Sequence, residues 1–274
     1  ENPSVTAPPA VVVTTSFSGV GCGARVDEGL LGTSTASDNC GVAALDRSGV
    51  SPGNVFPIGT TTVTYTARDA AGNTATATQA VTVVDDTPPA ISCPADVTTL
   101  VDAGQCTAVQ TFSPAAQDNC AGVTMTSSPA SGSAFPLGST TVTCTATDAA
   151  GNTASCAFTV TVENPEPVAG ITDPPSGAIY SVGTPVTFRG TFADNSGDVH
   201  TAEWTFDGTT QPGTVDEAAG TVTVVHTFTS AGVYYVQLTV RDQCGGSGSS
   251  TVVNGELDAL VVVYDPDAGF VTGG

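Results

Sequence analysis

Two copies of Asp-Ala-Ala-Gly-Asn, at residues 69–73 and 148–152, each set a carboxylate and a side-chain amide four residues apart. Two copies of Asp-Asn-Cys, at residues 38–40 and 118–120, add further carboxylates, and Asp85 and Asp86 stand side by side between the copies. Clustered hard oxygen donors without imidazole or thiolate select Ca²⁺ over transition metals. The same residues have a plainer use. Aspartate opens a tight turn, glycine takes positive φ, and asparagine closes the turn on hydrogen-bonding grounds.

Sulfur is the second chemistry. Cysteines stand at 22, 40, 93, 106, 120, 144, 156 and 244, with no C-x-x-C pair and only His200 and His226 as imidazoles, so zinc is a poor fit. Disulfides in an oxidising compartment are the better reading. Equivalent positions in the repeated sequence predict Cys22–Cys40 and Cys106–Cys120. The second closes a loop of about fifteen residues, on the order of 3 kcal/mol in the chain-entropy treatment. Cys144 lies across the second Asp-Ala-Ala-Gly-Asn turn from Cys156, which makes Cys144–Cys156 one pairing for that segment. A cysteine left over either links neighbouring chains or is a buried thiol, and the buried thiol is favoured. Catalysis finds little support: no Ser, Cys or Asp forms a nucleophile motif with either histidine.

The elements that must position these groups are strands. Over 274 residues, Val and Thr dominate, with 31 Gly and 18 Pro and no sustained helical period, which indicates an all-β chain with many turns. Val63 and Tyr65 share one strand face, as do Phe158, Val160 and Val162. The net charge of −21 arises from 26 acids against five arginines and no lysine. Nothing here neutralises a phosphate backbone, so nucleic acid is excluded as a partner. Attraction to an anionic membrane fails for the same reason, and no apolar run is long enough to span a bilayer.

The sequence also repeats itself at about eighty residues. Phe56-Pro57-Ile58-Gly59 matches Phe135-Pro136-Leu137-Gly138, and Thr62-Val63-Thr64-Tyr65 matches Thr141-Val142-Thr143-Cys144. Units of this size are whole sandwich domains. Proline-bearing linkers at 85–89 and 163–167 divide the chain into residues 1–84, 85–163 and 164–266, with 267–274 as the start of a further domain or a donated tail. The opening Glu1-Asn2-Pro3, echoed at Glu163-Asn164-Pro165, suggests a piece of a longer secreted or surface polypeptide. The expected fold is three tandem immunoglobulin-like β-sandwiches arranged as a rod.

Residues 85–163 resemble a hyalin repeat (HYR) module. The resemblance is carried by Asp86-x-x-Pro89-x-Ile91-x-Cys93-Pro94, Asp118-Asn119-Cys120, Phe135-Pro136-x-Gly138, and Asp148-x-x-Gly151-Asn152 leading to Cys156-x-Phe158. Residues 1–84 resemble the same family but lack counterparts of Cys93 and Cys156. Residues 168–264 are similar to a polycystin-type (PKD) domain, through His226-x-Phe228 and Gly232-x-Tyr234-x-Val236-x-Leu238-x-Val240-x-Asp242. The HYR pattern implies a Cys93–Cys156 bond. In an immunoglobulin-like topology Asp85, Asp86, Asp118, Asp148 and Asn152 share the pole where the chain enters the second sandwich, and Asp38, Asp69 and Asn73 repeat the set in the first. Asp194, Asp198 and Asp242 form a weaker set in the third. Trp204 is expected in a core. These readings lead to a non-enzymatic, calcium-stiffened structural or adhesive protein, outside the cell or on its surface, and to the role of a filament subunit. Self-association through domain ends, sheet edges or a strand from residues 269–274 would build the filament, and a surface polysaccharide or protein would be the other partner. The alternative is a substrate-binding or spacer region of a large secreted hydrolase.

Overall fold

The computed structural model describes residues 1–15, 21–194 and 197–268; the proposed strand donor at 269–274 lies outside the described residues. The chain forms two compact units, one of residues 1–95, 112–131 and 141–158, the other of residues 96–111, 132–140 and 159–274.

The first unit contains all of the first repeat. Its strands are β1 (Ser4–Thr6), β2 (Val11–Thr14), β3 (Gly23–Arg25), β4 (Thr35–Ser37), β5 (Val42–Ser48), β6 (Val55–Pro57), β7 (Gly59–Asp69) and β8 (Thr74–Val84). The order β2-β8-β7-β5 makes the main sheet, and β3-β6 and β1-β4 make two short pairs. Alternation explains the layering. Val63, Tyr65 and Ala67 of β7 are buried, while Thr62, Thr64 and Thr66 between them keep contact with solvent. Phe56, Val81, Val83 and Leu31 complete the core, the last from a single helical turn, α1 (Glu28–Leu31). Each such side chain stabilises the fold by about 1.5–3 kcal/mol through burial. One polar residue sits among them. Gln79 is buried yet satisfied: it accepts from the Tyr65 hydroxyl (2.8 Å) and donates to the carbonyls of Pro9 (2.7 Å) and Leu31 (2.9 Å).

The second repeat reuses these pairings. In the first unit β9 (Ala90–Ser92) pairs with β12 (Ala115–Gln117), as β4 pairs with β1, and β13 (Thr124–Ser128) pairs with the end of β15 (Gly138–Thr147), as β5 pairs with β7. In the second unit β10 (Val97–Leu100) runs parallel to β16 (Thr153–Glu163), as β2 does to β8, and β11 (Thr107–Gln110) pairs with β14 (Ser133–Pro136), as β3 does with β6. Two core positions change together. Cys144 and Phe158 stand where the first repeat has Tyr65 and Gln79, and Phe112 packs edge-on against Phe158, with centroids 5.0 Å apart. An apolar contact replaces a buried hydrogen bond.

The rest of the second unit is a larger sandwich. Its main strands are β17 (Val168–Asp173), β18 (Ala178–Ser181), β19 (Pro185–Ala193), β20 (His200–Phe206), β21 (Thr209–Pro212), β22 (Thr214–Asp216), β23 (Thr221–Thr227) and β24 (Gly232–Asp242). After them come β25 (Ser247–Ser250), β26 (Val252–Val253), β27 (Leu257–Asp258) and β28 (Leu260–Tyr264). One sheet runs β22-β23-β19-β17-β26-β27 and the other β18-β28-β24-β20-β21, with β25 on β24. Trp204 is fully buried between them, against Phe188. A Cβ on Gly190 would collide with Leu238 and with the Gly170 carbonyl, so glycine lets β19 pass this core closely.

Candidate functional site: turns, junction carboxylates and disulfides

The Asp-Ala-Ala-Gly-Asn turns close their own hydrogen bonds. In the second repeat Asp148 Oδ1 accepts from the amides of Ala150 (2.9 Å) and Asn152 (2.8 Å), and Oδ2 accepts from the Asn152 side chain (2.8 Å). Gly151 takes φ 95°, as the turn requires. Burial pushes the Asp148 carboxyl up, but the Asn152 amide and the turn amides outweigh it and hold the group below its ordinary value. Asp69 and Asn73 repeat the arrangement, with bonds of 2.8 and 2.7 Å, and the Asn73 amide likewise holds Asp69 low. Each asparagine also grips its incoming linker: Asn152 donates to the Asp85 carbonyl (3.0 Å), and Asn73 to the Glu1 carbonyl (3.3 Å).

A third turn of this kind escapes the sequence pattern. Residues 242–246 read Asp-Gln-Cys-Gly-Gly, and Asp242 Oδ1 accepts from the amides of Cys244 (2.7 Å) and Gly246 (2.9 Å). No asparagine closes it. The amide comes from the linker, where Asn164 Nδ2 donates to Asp242 Oδ2 at 2.8 Å. A Cβ on Gly246 would meet both groups, so the local glycine makes room for the distant asparagine. The visible signal was the Asn-Pro pair at 164–165.

Of the carboxylates predicted to converge, the structure brings together Asp85 and Asp118, each offering an oxygen within 4.8 Å of the other and of Cys120 Sγ. Asp85 is buried, accepts from the Thr15 hydroxyl (2.7 Å) and from the Thr87 amide (3.2 Å), and Asp118 accepts from the Cys120 amide (2.9 Å). Asp86 takes a longer bond from Thr15, at 3.4 Å. Asp148 does not join them, its oxygens being taken by its own turn. Cys120 is not a thiolate, because it is oxidised. In the first repeat Asp38 accepts from the Cys40 amide (2.8 Å), and no group of three ligating side chains forms there among the described residues. The guanidinium of Arg68 lies 3.6 Å from where a Cβ on Gly72 would stand, which adds positive charge beside that turn.

The cysteine pairing departs from expectation. Cys93 is bonded to Cys156, with Cα atoms 5.8 Å apart. Cys22, however, is bonded to Cys120 and Cys106 to Cys244, rather than Cys22 to Cys40 and Cys106 to Cys120. Strand direction is the reason. Cys22 abuts β3, whose Gly23 pairs with Pro57 just before β7 begins, whereas Cys40 lies by Val42, which pairs with Asp69 where β7 ends. Eleven extended residues span roughly 33 Å, far beyond the ~7 Å reach of a disulfide. Each bond therefore joins a loop cysteine of one module to the leading pole of the next, Cys22 to the Asp118–Cys120 loop and Cys106 to the Asp242 turn. The second contact is reinforced, with the Gly104 amide donating to Asp198 (3.3 Å). Cys144 is the buried thiol, its pKa pushed up by burial, and Cys40 is free and exposed.

The histidines are structural. His200 is buried with Nδ1 on Glu217 (2.9 Å) and Nε2 on Asp194 (3.0 Å), so neither nitrogen is left to act as a base. Burial lowers its pKa, but the Asp194 and Glu217 carboxylates outweigh that and raise it. His226 stacks on Phe206 with centroids 4.1 Å apart, and its burial lowers its pKa.

The HYR domain family matches residues 5–83 and again 84–162, more than half of the chain. The chain belongs to the HYR family. A PKD domain matches residues 164–255 after the two HYR domains. Among curated relatives, "Hyalin" of Lytechinus variegatus is 37% identical over 80% of this chain and 40% of that protein. "Hyalin" of Strongylocentrotus purpuratus is 42% identical over 47% of this chain and 11% of its own length. The HYR chain thus spans less than half of either relative. Among solved structures, mouse cadherin-23 EC22-24 aligns over 96% of this chain and 99% of its own, at a TM-score of 0.38 and 16% identity. HYR and PKD domains, together with three disulfides, mark an extracellular or surface multidomain protein. Among the described residues no helix is long and apolar enough to cross a membrane.

Proposed function

We propose that this HYR–HYR–PKD segment is a non-enzymatic structural and adhesive element outside the cell, one that holds successive modules in fixed register, as a repeating subunit of a filament requires. The observation that carries the reading is the placement of two disulfides between successive modules rather than within them. Bonds that close a loop inside a domain stabilise that domain; bonds that cross a junction keep one domain from turning on the next. Calcium is the second element of the proposal. Asp85 and Asp118 bring two carboxylates together at the first junction, and like charges this close favour a divalent cation with oxygen preference. Arg68 beside the 69–73 turn makes the first repeat's own pole a poorer calcium site.

The test is calcium titration of the oxidised chain, followed by calorimetry and thermal unfolding. At a free concentration one hundred times Kd, binding to the folded state alone adds about 2.7 kcal/mol of stability. Asp118→Asn is expected to abolish that gain while leaving the disulfides in place. No heat and no stability change in the parent protein would remove calcium from the reading. Electron microscopy of the native material, before and after chelation, tests the filament role itself.

A further inference from the structure

Cys40 has a counterpart whose chemistry is visible. It is the third residue of Asp38-Asn39-Cys40, and the matching Cys120 of the second repeat is bonded to Cys22 of the module before it. The surroundings match as well as the motif. Cys40 N–H donates to Asp38 as Cys120 N–H donates to Asp118 (2.8 and 2.9 Å), and the neighbouring turn asparagine holds the incoming backbone in both modules, Asn73 through Glu1 and Asn152 through Asp85. The next junction carries the same kind of link, since Cys106, at the position of Cys22, is bonded to Cys244 on the third module's leading pole. Within this chain both loop cysteines are taken and Cys144 is buried, which leaves Cys40 exposed without a sulfur partner.

We infer that Cys40 is a further rung of the same ladder, a site of covalent linkage to the loop cysteine of another HYR-type module, at the position that Cys22 and Cys106 occupy in the two modules here. The inference rests on the extracellular reading above, because the bond needs an oxidising compartment. Its chemistry is thiol–disulfide exchange. A disulfide oxidant, a small molecule or the disulfide of an exchange protein, is attacked by one thiolate to give a mixed disulfide and release one reduced thiol. The second thiolate then attacks that mixed disulfide; the Cys40 sulfur–sulfur bond forms, and the other half of the oxidant leaves as a thiol with the electron pair and a proton. Two protein thiols are oxidised and one disulfide is reduced to two thiols. The partner module lies either in the same polypeptide or in another chain, and both offer the same chemistry.

The native secreted protein decides. It is alkylated with iodoacetamide without reduction and cut after arginine, which releases Cys40 on the peptide 26–47 with no other cysteine. The expected result is that this peptide carries no alkyl group and is recovered linked to a second, cysteine-bearing peptide from a loop of an HYR-type module. A fall in apparent mass on reduction of the intact protein places the partner in a separate chain, and an unchanged mass places it in the same one. Recovery of alkylated Cys40, or of Cys40 capped only by a small thiol, overturns the inference. Cleavage after arginine leaves five cysteines on peptide 69–189, so Cys22–Cys120 and Cys106–Cys244 are mapped after a second cut before aspartate, which puts Cys93, Cys106, Cys120 and Cys156 on separate peptides. If those two bonds are intact while Cys40 is alkylated, the junction reading stands and only the further rung fails; if they are also absent, the function proposed above loses its support. A Cys40→Ser variant of the whole chain is expected to keep its three disulfides and lose the linked peptide.

Discussion

At the scale of single residues, three aspartates organise the backbone of three hairpin turns. Asp69, Asp148 and Asp242 each accept turn amides with one oxygen and a side-chain amide with the other, so a charged acceptor does what several neutral groups would otherwise have to do. This has a pH signature. Asp69 and Asp148 are held below the ordinary 3.8, so their folded-state pKa lies under the unfolded one. Their contribution is complete above that ordinary value and is lost as pH falls through the folded pKa. His200 runs the other way, since Asp194 and Glu217 raise it above 6.5; its contribution is complete below 6.5 and is lost as pH rises through the raised value. Urea midpoints taken across pH should therefore fall on the acid side below about 4, through the aspartates, and decline above about 6.5 through the third module. Asp148→Asn should flatten the acid limb, and an acid limb unchanged in that variant would show that the turn carboxylate is not the group responsible.

At the scale of elements, the turn and the linker form one device. In the HYR modules the turn asparagine reaches out to the linker carbonyl; in the PKD module the linker asparagine reaches into the turn. The two routes satisfy the same aspartate. Asn164→Ala should then strand one oxygen of the buried Asp242 and cost about 1–3 kcal/mol, although Asn164 belongs to no strand of the third sandwich. Chemical denaturation of the full chain measures this, and a change confined to a few tenths of a kcal/mol would mean that water replaces the amide. The strands, their alternation and the two Asp-Ala-Ala-Gly-Asn turns were readable in the sequence, because Val–Thr alternation and a positive-φ glycine express themselves within a few residues. The Asp242 turn was not. Its fifth residue is glycine, and the asparagine that completes it stands seventy-eight positions earlier.

For the whole molecule the informative bonds are those that sequence similarity assigned wrongly. Matching Cys22 with Cys106 and Cys40 with Cys120 is correct as an alignment; the inference that matched cysteines pair inside each copy is what fails. A repeat shows which positions are equivalent, whereas pairing depends on which end of the sandwich each position occupies, and β7 separates Cys22 from Cys40 by its full length. The consequence is thermodynamic. The bonds span 98 and 138 positions, and the chain-entropy treatment gives about 4.7 kcal/mol for a loop near one hundred residues. Here the bonds run from one module to the next, and the first and third modules each have a hydrophobic core, so the effect of the bonds falls on the coupling between modules as much as on any one of them. The double variant Cys22→Ser/Cys120→Ser should keep the first module's core, since Phe56, Val63 and Val81 belong to a buried cluster that includes neither cysteine. Its unfolding should separate from that of the next module, so that calorimetry resolves a transition which the oxidised parent merges with its neighbour. A parent and variant with the same number of transitions at the same temperatures would mean that the disulfide joins two modules without coupling them, and the fixed register on which the filament reading depends would lose its physical basis.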